Sequence, residues 1–125
     1  MPEMFYAQDE SELLSPGALS KLSGLEFIEG IKAGKYPAPP IAKTLNFWLE
    51  SVEEGRVVFA GSPQFRSMNP IGSVHGGWFG TILDSCMACA FQTTLPRLCC
   101  ALHDQPCQWH DRQHPLAEWR VRCSP

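Results

Sequence analysis

The chain has 125 residues, of which 44% are hydrophobic and 18% charged, and its formal net charge is −3. This composition is typical of a single globular domain and excludes a chain that is disordered throughout. The negative charge argues against nucleic acid as a partner, and no apolar run approaches the roughly 20 residues of a membrane-spanning helix. The first residues, MPEMFYAQDESELL, lack the basic and apolar stretches of a signal peptide, so the sequence predicts a cytoplasmic protein that does not associate with membranes.

The first forty residues predict a loose segment, one short helix and a stiff connector. Residues 1–20 are polar and acidic and are interrupted by Ser-Pro-Gly, which favours a loose segment with one helical turn. Apolar side chains then recur at spacings of three and four, which predicts an amphipathic helix capped by Ser23 and ended by Gly34. Three prolines in KYPAPPIAK predict an extended connector rather than a helix.

A β-hairpin and a long helix are predicted next. Leu45, Phe47 and Leu49 alternate with polar or larger residues, the period of a half-buried strand, and Glu-Glu-Gly at 53–55 separates it from a second strand, RVVFAGS. After a loop at 63–74, GWFGTILDSCMACAFQTTL predicts a helix that continues to about Leu95. Such a thin and almost wholly apolar helix is usually buried, and a sheet curled around it is the natural cover.

The residues that could take part in catalysis lie at the start of this helix, in the segment NPIGSVHGGWFGTILD. Gly76 and Gly77 stand where the first helical N–H groups have no intrahelical partner, and such donors stabilise the negative charge of an oxyanion. Asp84 follows on the same helix face, about 10 Å beyond Gly77, so a single carbonyl group cannot contact both. The carboxylate should therefore come from a second subunit, which predicts a homodimer or a larger homo-oligomer such as a tetramer.

The same segment resembles a known family. Asn69-Pro70-x-Gly72-x-x-His75-Gly76-Gly77, with Asp84 nine residues after the histidine, is similar to the active-site segment of hotdog-fold acyl-CoA thioesterases of the phenylacetate-degradation (PaaI-like) type. The segments GIKAGKYPAPPIAKTLNFWL and EEGRVVFAGSPQFRSMNPIGSVHGG also resemble a bacterial subgroup, so the likeness covers roughly residues 22–96.

The resemblance implies the fold, the reaction and the roles of the site residues. The implied fold class is α+β, an antiparallel sheet wrapped around the long central helix, and the implied reaction is hydrolysis of acyl-CoA thioesters without a metal or another cofactor. Asp84 matches the nucleophile or general base, Gly77 the oxyanion donor, Asn69 a residue that places the thioester or the water, and His75 a brace of the loop. Three further positions match substrate-binding residues, namely Gly76, Pro70 and Gly72.

Each of these residues also has a purely structural interpretation. Asp84 could lie on a solvated helix face, Gly76-Gly77 could be a tight turn, Asn69-Pro70 is a common turn pair, and His75 could be a hydrogen-bonded loop residue. Cys86-x-x-Cys89 fits two small thiols that fill a tight helix surface, and less well a zinc or redox site.

All six cysteines lie after residue 85, and four of them belong to a tail that departs from the family pattern. The sequence divides into a loose segment (1–20), the N-terminal part of a hotdog domain (21–96) and a Cys/His/Trp/Arg-rich tail (97–125). The family pattern requires further strands where this tail stands, so the hotdog fold is expected to be incomplete, and a frameshift near residues 96–102 would explain the change. Two alternatives to thioester hydrolysis stay open: a non-catalytic acyl- or CoA-binding remnant, and a small zinc module built from the tail, whose candidate ligands are Cys99, Cys100, His103, Cys107, His110 and His114.

Overall fold

The structure is a computed structural model that describes residues 3–98 and, for the backbone alone, residues 118–123. It has α+β character, with a small sheet packed against helices. The helical elements are α1 (Pro16–Leu19), α2 (Gly24–Lys32), α3 (Pro40–Leu45) and α4 (Gly76–Thr93), with short 3-10 turns at Glu10–Glu12 and Phe65–Ser67. The strands are β1 (Phe47–Glu53), β2 (Arg56–Gly61) and β3 (Glu118–Cys123).

Helix α2 forms where the apolar spacing predicts it. The Ser23 side chain accepts from the Glu26 N–H, and the Glu26 carboxylate accepts from the Ser23 N–H, which makes a reciprocal capping box. Gly34 follows the helix with a φ of +73°, a conformation that glycine adopts without strain. The prediction for this helix is therefore confirmed at both ends.

The connector before the hairpin was predicted to be extended, and that prediction is wrong for its second half. Residues 40–45 form α3, and Pro40 occupies the first helical position. A proline there lacks only an N–H that would have no partner in the helix, and its fixed φ suits the first turn. Asn46 ends α3 in the left-handed conformation, with a φ of 58°, and its side chain donates to the Ser62 carbonyl.

Strands β1 and β2 form the predicted antiparallel hairpin. The register pairs Phe47 with Gly61 and Glu53 with Arg56, and shifts by one residue between Leu49 and Ser51. Gly55 makes the turn with a φ of +75°. The alternation of β1 buries Phe47 and Leu49, as the period of two predicts, whereas Leu45 belongs to α3 instead of the strand.

Helix α4 lies against this hairpin with one buried face. That face consists of Trp78, Ile82, Cys86, Ala90 and Thr93. The Trp78 indole donates to the Leu45 carbonyl at 2.7 Å, and the Cys86 thiol contacts the Val57 carbonyl at 3.8 Å. At the other end of the helix, the Gly55 N–H donates to the Thr93 hydroxyl at 2.8 Å. These bonds fix both ends of α4 relative to the hairpin.

The opposite face of α4 differs from the prediction that a sheet would shelter the whole helix. Four apolar side chains at successive spacings of four are 41–47% exposed, and we call them the apolar stripe: Phe79, Leu83, Met87 and Phe91. Within residues 3–98, nothing covers this stripe completely.

The third strand comes from the tail, where the sequence pattern predicted none. The β3 backbone pairs with β2 in parallel, from Arg56 opposite Glu118 to Gly61 opposite Cys123, and the sheet order is β1-β2-β3. The side chains of the tail from residue 99 onward lie outside the described residues, and the division of the chain at residue 97 stays a prediction. Over the described part of the chain, no helix is both long and apolar enough to cross a membrane.

Candidate functional site

The loop before α4 folds back on itself and sets the helix start. Met68 and Val74 form an antiparallel bridge, and the His75 N–H donates to the Ser67 carbonyl at 2.8 Å. These contacts bring the two ends of the loop together. The residues from Asn69 to Ser73 therefore project as one tight turn beside the N-terminus of the helix.

Asn69, Pro70 and Gly72 build this turn. The Gly72 N–H donates to the Asn69 carbonyl at 3.0 Å, with proline second and glycine fourth, an arrangement that suits a type I turn. The Asn69 side-chain oxygen accepts from the N–H groups of Ile71 and Ser73, and its amide donates to the Ser73 hydroxyl at 2.6 Å. The structural interpretation of this turn pair is therefore confirmed, and a role in placing substrate or water remains a prediction.

His75 is the N-cap of α4. Its backbone is extended, and its Nδ1 accepts from the Gly77 N–H at 2.8 Å. This bond satisfies one of the helical donors that the sequence assigned to an oxyanion. Among the described residues, the Gly76 N–H makes no hydrogen bond, and both glycines are exposed to solvent. At this helix start, one donor is open and the next is held by the histidine.

Asp84 is exposed on α4 and lines a cavity of about 220 Å³. Most of the cavity wall is apolar and comes from α2, α3, the hairpin and α4. Asp84 is thus exposed, as the solvated-face interpretation expects, and it also borders an apolar space. A larger and more open cavity of about 570 Å³ lies along the N-terminal segment, but none of the predicted site residues lines it.

Two cavity residues were missed by the sequence analysis because they belong to the N-terminal segment. Met4 and Tyr6 both line the cavity beside Asp84. Tyr6 is buried, pairs with Ala38 as an isolated bridge, and has a hydroxyl with no hydrogen-bond partner among the described residues. Burial raises the pKa of this hydroxyl, so it stays protonated at neutral pH. No spacing or motif in a polar segment signals such a role.

Among the described residues, neither Cys86 nor Cys89 forms a disulfide bond. Cys86 is fully buried against the hairpin, and Cys89 is half-buried on the cavity wall. Burial, followed by the nearby Cys86 and Asp84, raises the pKa of Cys89 to about 12. A thiol with this pKa is a poor nucleophile at neutral pH, which favours the packing interpretation over a redox role.

No group of three or more potential metal ligands occurs among the residues that the structure describes. The candidate zinc ligands of the tail lie outside these residues. No family model, curated protein or solved structure matches the chain.

Proposed function

We propose that this protein hydrolyses acyl-CoA thioesters, with the Asp84 carboxylate as general base or nucleophile. The observation that carries the proposal is the position of Asp84 on the wall of an apolar cavity, on the helix that begins with Gly76 and Gly77. An apolar space next to one carboxylate suits an acyl group whose carbonyl carbon lies near the acid. The likeness of residues 69–84 to the thioesterase segment points to the same chemistry.

As a general base, Asp84 takes a proton from a water molecule while the water oxygen bonds to the thioester carbon. The carbonyl electron pair moves onto oxygen and forms a tetrahedral oxyanion. When this intermediate collapses, the carbon–sulfur bond breaks and the thiolate of CoA leaves with the bonding pair. The protonated Asp84 then returns its proton to the thiolate, which regenerates the carboxylate and completes the hydrolysis.

The oxyanion needs hydrogen-bond donors, and the helix start supplies them. The Gly76 N–H is open, whereas the Gly77 N–H donates to His75. For Gly77 to act as the donor, the substrate oxygen has to replace His75 Nδ1 as its acceptor. A negatively charged oxygen is the stronger acceptor, so this exchange favours the transition state over the ground state.

The proposed site combines two subunits. Seven residues separate Gly77 from Asp84, which corresponds to about 10 Å along a helix and is too far for one reacting carbonyl. The apolar stripe on α4 and the almost fully exposed Phe65 and Ile71 support an association with a second copy. We propose a homodimer with a partial hotdog fold, in which Asp84 of each subunit acts on a thioester whose carbonyl oxygen is bound by the glycines of the other subunit.

The assay that tests the proposal is release of CoA thiol from acyl-CoA esters of increasing chain length. Wild-type protein should release CoA, and Asp84→Asn should be slower by about 100-fold or more. The matched control is Glu29→Gln, which neutralises an exposed acid on α2 away from the cavity. Equal rates for wild type and Asp84→Asn would exclude the assigned role.

The two-subunit arrangement has its own test. Asp84→Asn and Gly77→Pro each remove one half of the site, and proline is tolerated in the first turn of a helix. Random mixing of the two inactive variants should restore about a quarter of the wild-type rate, because half of the dimers then contain one intact site. A site built within one subunit would stay inactive after mixing.

One observation favours a second candidate, a protein that binds acyl-CoA without turning it over. The Gly77 donor is already occupied by His75, so the helix start could hold the ligand without stabilising an oxyanion. Saturable binding of an acyl-CoA by calorimetry, with no CoA release over many hours, would support this candidate and contradict hydrolysis.

A further inference from the structure

The cavity beside Asp84 has a size that restricts what can enter it. Its volume is about 220 Å³. A water molecule occupies about 30 Å³ in the liquid, and a methylene group needs a similar space, so the cavity has room for about seven such groups. This corresponds to an acyl group of roughly six to eight carbon atoms, well below a long-chain fatty acyl group.

The cavity wall also restricts charge. Asp84 is the one formally charged residue among the described residues of the wall, which includes no lysine, arginine or histidine. The surfaces that face the space are mainly apolar, among them Ile28, Ile31, Phe47, Leu49 and Phe59. A second carboxylate at the far end of an acyl group would lose its hydration there without gaining a cation.

We propose that this cavity is the acyl pocket and that it selects uncharged acyl groups of about six to eight carbons over longer ones and over dicarboxylic ones. This inference rests on the proposed function, because it names the substrate class of the same site. It adds that Met4 and Tyr6, from the N-terminal segment, form part of the specificity pocket.

Ala88 offers a direct way to change the pocket. It is an exposed residue of α4 that lines the cavity, one turn after Asp84. A larger side chain at this position therefore enters the cavity without disturbing the core. Ala88→Leu adds three carbons and retains a strong helix former. Ala33→Leu makes the same substitution at an exposed position after α2 that does not line the cavity, and it is the matched control.

The experiment measures CoA release for straight acyl groups from butyryl to dodecanoyl, together with the dicarboxylic analogue of octanoyl-CoA. For wild type and Ala33→Leu we expect an optimum at about six to eight carbons and a rate at least about tenfold lower for the dicarboxylic ester. Ala88→Leu should move the optimum to chains about three carbons shorter. An unchanged optimum in Ala88→Leu with hydrolysis retained would overturn the pocket assignment and leave the proposed function intact.

A binding measurement distinguishes failure of the pocket assignment from failure of the proposed function. Trp48 lines the cavity, so its fluorescence reports the entry of uncharged 1-alkanols from butanol to decanol, and Trp48→Phe identifies its share of the signal. If wild type hydrolyses no ester while Ala88→Leu weakens octanol binding more than butanol binding, the proposed function is wrong and the pocket stands. If Ala88→Leu leaves the chain-length dependence of alkanol binding unchanged, the pocket is wrong.

Discussion

Replacement of His75 by alanine tests how the helix start works, because it removes a cap and frees a proposed donor at once. Nδ1 of His75 accepts from the Gly77 N–H at 2.8 Å, and the ring is exposed. Loss of an N-cap costs about 0.5–2 kcal/mol, and the lower half of this range applies because water reaches the freed donor. For a domain of this size, a loss of ~0.5–1 kcal/mol lowers the melting temperature by about 2–8 °C.

The effect on the reaction has the opposite sign. In the wild type the oxyanion has to displace His75 from Gly77, and such a hydrogen bond contributes a net ~0.5–1.5 kcal/mol. His75→Ala removes this competition, so kcat/KM should rise by about 2- to 12-fold. The variant is thus expected to be less stable and faster.

The assay combines CoA release with thermal unfolding followed by circular dichroism. His75→Asn is the control, because asparagine is a preferred N-cap whose oxygen accepts the same bond. It should restore stability and keep kcat/KM near the wild-type value. A folded His75→Ala that is slower than wild type by about tenfold or more would refute the competition and give the histidine a direct part in the reaction.

Four further substitutions test the fold. Gly24→Ala should destabilise the protein by several kcal/mol, because its Cβ would lie 1.6 Å from a backbone oxygen of α4. Gly80→Ala has open space around it and should stabilise the protein by up to about 1 kcal/mol. Denaturant unfolding measures both changes. Tyr6→Phe should raise the free energy of unfolding by about 1 kcal/mol, because it removes a buried hydroxyl without a partner among the described residues. The pKa of Glu26 is lowered mainly by the hydrogen bond from the Ser23 N–H. The ionised Glu26 therefore stabilises the folded protein above its ordinary pKa of 4.5, and this contribution is lost as the pH falls through the lower pKa of the folded state. Glu26→Gln should remove that acid loss, and a stability that falls equally in both proteins between about pH 6 and about pH 3 would contradict it.

The elements with strong local signals could be predicted from the sequence. The spacing after Ser23 and its reciprocal bond with Glu26 define α2, and the alternation around Phe47 with the turn at Gly55 defines the hairpin. In these elements the local preferences and the tertiary packing agree. The short helix α3 was missed because a proline such as Pro40 indicates a break at most positions but is compatible with a helix as its first residue.

The site was predicted less completely than the elements. The residue types from Asn69 to Asp84 indicated where the site lies. However, no sequence pattern shows that the Gly77 N–H donates to His75, or that the Asn69 side chain hydrogen-bonds within its own turn. Such contacts depend on rotamers. The contribution of Tyr6 to the cavity depends on a contact with Ala38, 32 positions along the chain, which no local period encodes.

The exposure of the apolar stripe on α4 could not be predicted either, because it too depends on tertiary contacts. An almost wholly apolar helix predicts burial on all sides, but the sequence period does not say which neighbour covers which face. The hairpin covers the face of Trp78 and Ile82, and the face of Leu83 and Met87 is left open among residues 3–98. Size measurement in solution should therefore show a dimer or larger species, and a monomer at high concentration would contradict the proposed site between subunits.

The central claim is that Asp84 carries out thioester hydrolysis, and the rate of CoA release by Asp84→Asn tests it most directly. The comparison uses octanoyl-CoA, wild type, Asp84→Asn and the control Glu29→Gln, with circular dichroism to establish that all three have the same fold. The account predicts that Asp84→Asn is slower by about 100-fold or more and that Glu29→Gln equals wild type. Rates within about twofold for all three proteins would contradict it.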